Sequence, residues 1–378
     1  MKKFQSTQPR TSLPTTKQFI ACFIALFILI YGLIIVIASC QIRLSMIDNA
    51  LQKTKLSPQL ILSETFGNEN SIFRHALTKK ERPQSLSHFL LEGLTDLRFD
   101  DIRSLFGSEL PGFTLYNTKI FYAGKGLTYN TLPQDNPPPE IKLETPRPQK
   151  PDKAQQEKDK VNRKLTKLVY IYHTHSWEAY NPLLGSGNTS AVSADPNKDV
   201  IYDGQIVGNT LVSHGIGFLH DTSNKNEKLR EMGWTYNQAY QYSRLVVQNA
   251  MKAQQSLTYF IDIHRDSSGG KLTTAMINGT SYARISIVIG ESNPNYSANL
   301  YMAQQIKNTL DQAYPGLVRG IVGKNKNDGN GIYNQDLSKN AILIEIGGID
   351  NTRDEVKRTS IAFGDALATY IQNQQAKK

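Results

Sequence analysis

Three short apolar runs in this chain end abruptly in histidine or carboxylate: Lys167–Ser176 (KLVYIYHTHS), Leu257–Ser267 (LTYFIDIHRDS) and Asn340–Gly348 (NAILIEIGG). Each is rich in Val, Ile and Tyr, which predicts strands buried on both faces, the habit of parallel sheets. Predicted strands Leu168–Tyr172, Ile216–His220, Tyr259–Ile263, Arg284–Ile289 and Ile342–Ile346 are interleaved with predicted helices. Those helices are Val200–Ser213, Thr235–Gln254, Tyr296–Ala313 and Thr352–Ile371, the last opening on a Thr352-x-x-Glu355 capping box. This alternation predicts an α/β fold, a doubly wound and mainly parallel sheet with flanking helices. Ligands of such sheets bind beyond the carboxyl ends of the strands. His175, His264 and Glu345 fall there.

Upstream, the pattern changes. Phe19–Ala38 is about twenty residues without a charge, enough to cross a bilayer as one helix. Lys2, Lys3, Arg10 and Lys17 precede it with no acidic residue, which predicts a cytoplasmic N-terminus and an extracytoplasmic remainder. Ile37-Ala38-Ser39-Cys40 also has the form of a bacterial lipoprotein cleavage box; either way the protein is expected to be membrane-attached. The expected organisation is a basic leader (1–18), a transmembrane helix (19–38), a small juxtamembrane region (39–131), a linker (132–164) and a catalytic domain (165–378). In the juxtamembrane region the best strand candidate is Thr118–Phe121. The linker opens on prolines and continues as mixed charge with almost nothing apolar, so it is expected to stay extended.

Charge and cysteine content narrow the chemistry. The formal net charge is +10, but much of the excess sits in the leader and the linker. That distribution argues against nucleic acid and for anionic lipid or anionic wall polymer as what a basic surface meets. Cys22 and Cys40 are the only cysteines, so the predicted catalytic domain has neither disulfides nor thiolate ligands. Any metal must be held by His, Asp or Glu, a donor set that suits zinc or another borderline cation.

Ionisable groups at the rim of a buried sheet are costly unless compensated, and one cation compensates two imidazoles and a carboxylate. A metal-dependent hydrolase is therefore the first expectation. His173 and His175 are two apart, and Glu178 follows His175 by three residues, a spacing from which both reach one ion. Asp262, His264 and Asp266 alternate onto one face, and Arg265 points the other way or caps the turn. His220-Asp221 closes another short strand and offers a further ligand. Glu345, inside an apolar run, suits a general base, because desolvation favours the protonated form of a carboxylate. The loop Asp328–Asp336 (DGNGIYNQD) supplies tight turns and amide side chains for a polar substrate. Two rivals use the same residues: a two-metal phosphoesterase built on His173, His175, Asp262 and Asp266, and a non-catalytic wall-binding scaffold.

YIYHTHSWEAY (170–180), GIGFLHD (215–221), IDIHRDS (261–267), YPGLVRG (314–320), GIYNQDL (331–337) and LIEIGGIDNTRDE (343–355) occur in order. With SLFGSELPGF (104–113) upstream, the chain resembles the stage II sporulation protein P family of endospore-forming bacteria. That family is similar to the zinc N-acetylmuramoyl-L-alanine amidases. The resemblance implies cleavage of the amide between muramic acid and L-alanine, with a second activity against peptide crosslinks. It implies His175 and His264 as zinc ligands and Glu345 as the catalytic carboxylate. The amidase pattern takes its third ligand from a glutamate on a helix, but the helix opening at Asp199–Val207 has none. Glu178, with His220 behind it, is therefore the expected third ligand, and Arg265 is expected to bind a stem-peptide carboxylate. It also implies a role in thinning septal peptidoglycan during engulfment. The implied partners are a membrane-anchored lytic transglycosylase and a polytopic membrane protein.

Overall fold

The computed structural model describes residues 118–134, 152–185 and 191–377, all of which belong to the unit Leu97–Lys378. The apolar stretch 19–38, the possible lipidation site at Cys40 and most of the expected juxtamembrane region and linker lie outside the described residues. Among those described, no helix is long and apolar enough to cross a membrane.

The main strands are β1 (Lys119–Ala123), β2 (Lys167–Tyr172), β3 (Gly217–His220), β4 (Tyr259–Asp266), β7 (Ile285–Gly290), β8 (Val318–Lys324) and β9 (Ala341–Gly348). Between β4 and β7, Thr274–Ile277 and Thr280–Ala283 form the small hairpin β5–β6, with Asn278 and Gly279 both at positive φ, as a two-residue turn requires. The seven main strands make one sheet in the order β1-β8-β7-β9-β4-β2-β3. Strands β3, β2, β4 and β9 run parallel. Strand β7 enters antiparallel to β9, β8 runs parallel to β7, and β1 closes the edge antiparallel to β8. The fold is therefore mixed α/β with a large central sheet, and its predicted parallel part is the half that carries the histidines.

The helices are α1 (Lys153–Lys164), α2 (Val200–Ser213), α3 (Lys225–Glu231), α4 (Ala239–Ala253), α5 (Tyr296–Ala313) and α6 (Arg353–Gln375). The predicted capping box at Thr352 and Glu355 forms at the start of α6. Helices α2, α5 and α6 cover one face of the sheet, packing Val207, Leu211, Ile306, Phe363 and Leu367 on Ile171, Ile261, Ile263, Ile287 and Ile344. The opposite face has two covers. Val247 of α4, with Ala250 and Met251, packs on Tyr170, Tyr172 and Phe260. Leu127, Leu132 and Tyr333, from loops, pack on Val288, Val322 and Leu343. The candidate residues lie where these two covers meet.

Two upstream stretches join this body. Residues 119–123, overlapping the expected strand Thr118–Phe121, supply the edge strand, and the chain continues as far as Gln134. Lys153–Lys164, expected from composition to be extended, instead forms α1. Asp152 caps it by accepting from Gln155 N at 2.7 Å, and Asn162 bonds the backbone of Phe218 on β3. Polar composition alone does not forbid a helix once capping and tertiary hydrogen bonds hold it.

Arg319 fastens the upstream segment to the sheet. At 1% exposure it donates one guanidinium N–H to Asp266 and another to the carbonyl of Thr131. Breaking a buried pair leaves the remaining charge uncompensated, at a cost of about 3–5 kcal/mol. Arg319→Met is accordingly expected to lower unfolding free energy by about that amount in urea titrations of the full-length protein. A change under about 1 kcal/mol would mean that this anchor contributes nothing measurable.

Candidate active site

Alternation along β4 sends Ile261 and Ile263 into the helical core and turns Asp262 and His264 to the opposite face. His264 is fully buried. Its Nε2 lies 3.0 Å from Asp262 Oδ1 and its Nδ1 lies 3.4 Å from Glu178 Oε2. Burial alone pushes an imidazole down, but the Asp262 and Glu178 carboxylates outweigh it, and His264 is held well above the ordinary histidine value.

Asp262 is fixed from behind. Thr174 donates to it twice, from its backbone N–H at 2.9 Å and its hydroxyl at 2.6 Å. Thr174 Oγ1 lies 2.9 Å from Ser243 Oγ of α4, which also accepts from Asn334 Nδ2 at 2.9 Å. Glu178 comes from a turn in which its N–H donates to His175 O at 3.2 Å, so one turn delivers both His175 and Glu178. Its Oε2 also accepts from Arg265 N at 2.9 Å. His175 stacks on Tyr236 at 4.2 Å between centroids and stands nearly perpendicular to the His264 ring at 5.2 Å. Glu345, 3% exposed, is the register neighbour of His264 on β9, with Ser286 opposite it on β7.

Among the described residues, no three His, Cys, Asp or Glu side chains converge closely enough to be recognised as holding an ion. The donor chemistry nevertheless suits one. Neither ring nitrogen of His264 makes a well-aligned hydrogen bond, although Asp262 and Glu178 oxygens lie at 3.0 and 3.4 Å. The imidazole thus sits between two acidic groups that a proton or a cation would compensate. Two ligands of tetrahedral zinc, with bonds of about 2.0–2.2 Å, stand about 3.3–3.5 Å apart, and these two stand 3.4 Å apart. His264 and Glu178 are thus already at ligand spacing, with His175 beside them.

Two expected site residues go elsewhere. His220 turns to His173, Nε2 to Nε2 at 2.9 Å, while His173 Nδ1–H donates to Ile263 O at 2.9 Å. This pair lies under α2, where a Cβ at Gly204 would fall 2.5 Å from His220 Nε2. Strand alternation explains it, since His173 continues the face of Val169 and Ile171. Arg265 donates to the carbonyls of Asp266 and Ala191 at 3.2 and 3.0 Å, so it holds a loop and is not offered to substrate. The two-metal set is not brought together: His173 lies under α2 with His220, on the other face of the sheet from Asp262, and Asp266 is paired with Arg319. Sequence reasoning missed Thr174, Tyr236, Tyr240 and Ser243. The spacing of the last three at the start of a predicted helix was the available signal.

The family model described as "Stage II sporulation protein P (SpoIIP)" matches residues 100–368. The stage II sporulation protein P of Bacillus subtilis (strain 168) is 36% identical over 310 residues, 79% of this chain and 77% of that protein. The chain belongs to the SpoIIP family. Among solved structures, Cwp6 from Clostridium difficile aligns with 55% of this chain at 17% identity and a TM-score of 0.34, the match spanning 29% of the Cwp6 chain. Murine aminoacylase 3 aligns with 56% of this chain and 67% of its own at 15% identity and a TM-score of 0.25. Likenesses this weak carry nothing about chemistry. Family membership makes this a sporulation protein, and a role in wall hydrolysis is consistent with the family.

The His173–His220 pair yields a pH prediction. Burial pushes His173 down to about 3 and His220 well below its ordinary value, the neighbouring imidazole adding to the shift on His220. Both rings stay neutral in the fold while the unfolded chain takes up protons from about pH 6.5 downward, so stability is lost as pH falls below that value. His220→Gln, which keeps an N–H for His173, should flatten the acid side of the stability profile by up to about 1.4 kcal/mol per pH unit. Parallel profiles for parent and variant between about pH 6.5 and 4 would contradict a neutral, buried His220.

Proposed function

We propose that this protein is a membrane-tethered, metal-dependent N-acetylmuramoyl-L-alanine amidase that thins peptidoglycan on the outer side of the membrane during engulfment, in company with other engulfment proteins. One observation carries the reading: a fully buried imidazole held between Asp262 and Glu178, beside Glu345 in register, in a chain of the SpoIIP family. His175, Glu178 and His264 are the residues that would hold a zinc ion. The ion would supply a Lewis acid and a water of lowered pKa. The chain supplies the rest. Asp262 fixes the tautomer and ring orientation of His264, as outer-shell carboxylates do for ligating histidines. Thr174, Ser243 and Asn334 hold Asp262 in turn. Glu345 lies on the same face as His264, where it takes a proton from the attacking water and returns it to the leaving amide nitrogen. The covers on either side exclude bulk water, which strengthens these electrostatic effects.

Glu345→Gln is expected to slow release of L-Ala-linked peptides from purified wall by about 10²–10⁴-fold without loss of zinc, measured by mass spectrometry of the fragments and by metal analysis. Release at the parent rate would remove Glu345 from the chemistry. Asp262→Asn should weaken zinc affinity by about 10–100-fold in competition with a chromogenic chelator; unchanged affinity would deny it an orienting role. If a chelator leaves wall hydrolysis intact, the metal is not needed and this reading is wrong.

A further inference from the structure

A cavity of about 360 Å³ opens on the sheet face that carries His264 and Glu345. Gln134, Lys324, Asn327, Asp328, Asn330 and Tyr333 contribute to its walls, drawn from the end of the upstream segment, the last residue of β8 and the loop that follows it. The cavity is close to the candidate centre. Tyr333 meets Tyr240 edge-on at 5.3 Å, and Tyr240 meets His175 at 5.4 Å. On the other side, Gln134 O accepts from Ser267 N at 3.2 Å, immediately beyond the end of β4.

The cavity's two charges are opposite, and each rests on a neutral partner. Lys324 Nζ donates to the carbonyl of Pro133 at 3.1 Å, and Asp328 accepts from the hydroxyl of Thr118. No ion pair between Lys324 and Asp328 is present among the described residues. Burial pushes the Asp328 carboxyl up to about 6, which still leaves it largely charged at neutral pH. The amides add donors: Asn330 Oδ1 is taken by the N–H groups of Ile332 and Tyr333 at 3.2 and 2.7 Å, so Asn330 offers its NH₂. The ammonium and the carboxylate lie in one small cavity without pairing directly, although Lys324 is near enough to oppose the effect of burial on Asp328, and together they complement a ligand that carries both charges.

We propose that this cavity binds the zwitterionic α-amino acid end of a peptide side chain, the ligand carboxylate on Lys324 with the amides of Asn330 and Gln134, and the ligand ammonium on Asp328. The inference rests on the amidase reading and gives it a substrate class. An extended peptide advances about 3.3 Å per residue, so the third residue of a stem peptide cut at its first amide lies within the span of the two ring contacts that lead to the cavity. A diaminopimelate in that position ends in a free amino and carboxyl group, whereas lysine ends in an amine alone.

Equilibrium binding to the full-length protein, measured by titration calorimetry, tests this without turnover. The probes are L-Ala-γ-D-Glu-meso-diaminopimelate, the same tripeptide with L-lysine, and the same tripeptide with 2-aminopimelate, whose side chain ends in a carboxylate alone. The diaminopimelate peptide should bind at least about tenfold more tightly than either analogue. Lys324→Met should abolish its advantage over the lysine peptide, and Asp328→Asn its advantage over the aminopimelate peptide. Equal binding of the three peptides to the unaltered protein, or no detectable binding of the diaminopimelate peptide, overturns the proposal, and that comparison does not depend on any variant folding. A protein that selects the diaminopimelate peptide yet cleaves no wall keeps the cavity assignment and loses the amidase reading. One that cleaves wall without selectivity does the reverse.

Discussion

A neutral histidine buried between two carboxylates is not a stable arrangement unless a positive charge enters it. His264 meets Asp262 on one ring nitrogen and Glu178 near the other, and the whole junction is shut off from water. A proton meets that requirement by charging the imidazole, which is why the two carboxylates hold it so far above its ordinary value. A divalent cation would meet it too, and it would leave an open position for a reacting oxygen. The other features of the site serve this junction: the Thr174–Ser243–Asn334 chain that fixes Asp262, the turn that brings Glu178 and His175 together, and Glu345 on the adjacent strand.

The junction is built where two covers on one sheet face meet. Helix α4 roofs the strands on one side and loop residues Leu127, Leu132 and Tyr333 roof the other. Part of the second roof comes from the segment leading away from β1, held by Arg319 to Thr131 and by Arg284 to the carbonyl of Lys125 at 2.6 Å. The same Arg319 holds Asp266 at the end of β4. The segment leading away from β1 and the end of the strand that carries His264 therefore share one side-chain anchor.

Much of this was legible in the apolar runs. The run at 259–263 became a strand that extends through His264 to Asp266, and that at 342–346 one that reaches Gly348 with Glu345 inside it. Alternation placed Asp262 and His264 on one face, and the three-residue spacing placed Glu178 with His175. Strand order was not legible, since it is set by long-range pairing. That β9 lies beside β4, setting Glu345 next to His264, and that β7 enters antiparallel, setting Ser286 across from Glu345, follow from no local pattern. His220 was misassigned for the same reason: its strand end sits at the rim, but its side chain meets His173 under α2. The edge strand KIFYA (119–123) overlaps the expected strand Thr118–Phe121, but its place beside β8 was not legible. Arg265 was expected on a substrate carboxylate, but its bonds go to backbone carbonyls, which sequence does not display.

The central claim, that His264 and Glu178 share one cation, is tested most directly by zinc-edge X-ray absorption on the zinc-loaded full-length protein. The account predicts one zinc per chain, with two imidazoles and a carboxylate oxygen in the inner shell and the scattering of one imidazole lost in His264→Ala. A protein that retains no zinc, or a zinc spectrum indifferent to His264→Ala, would contradict it.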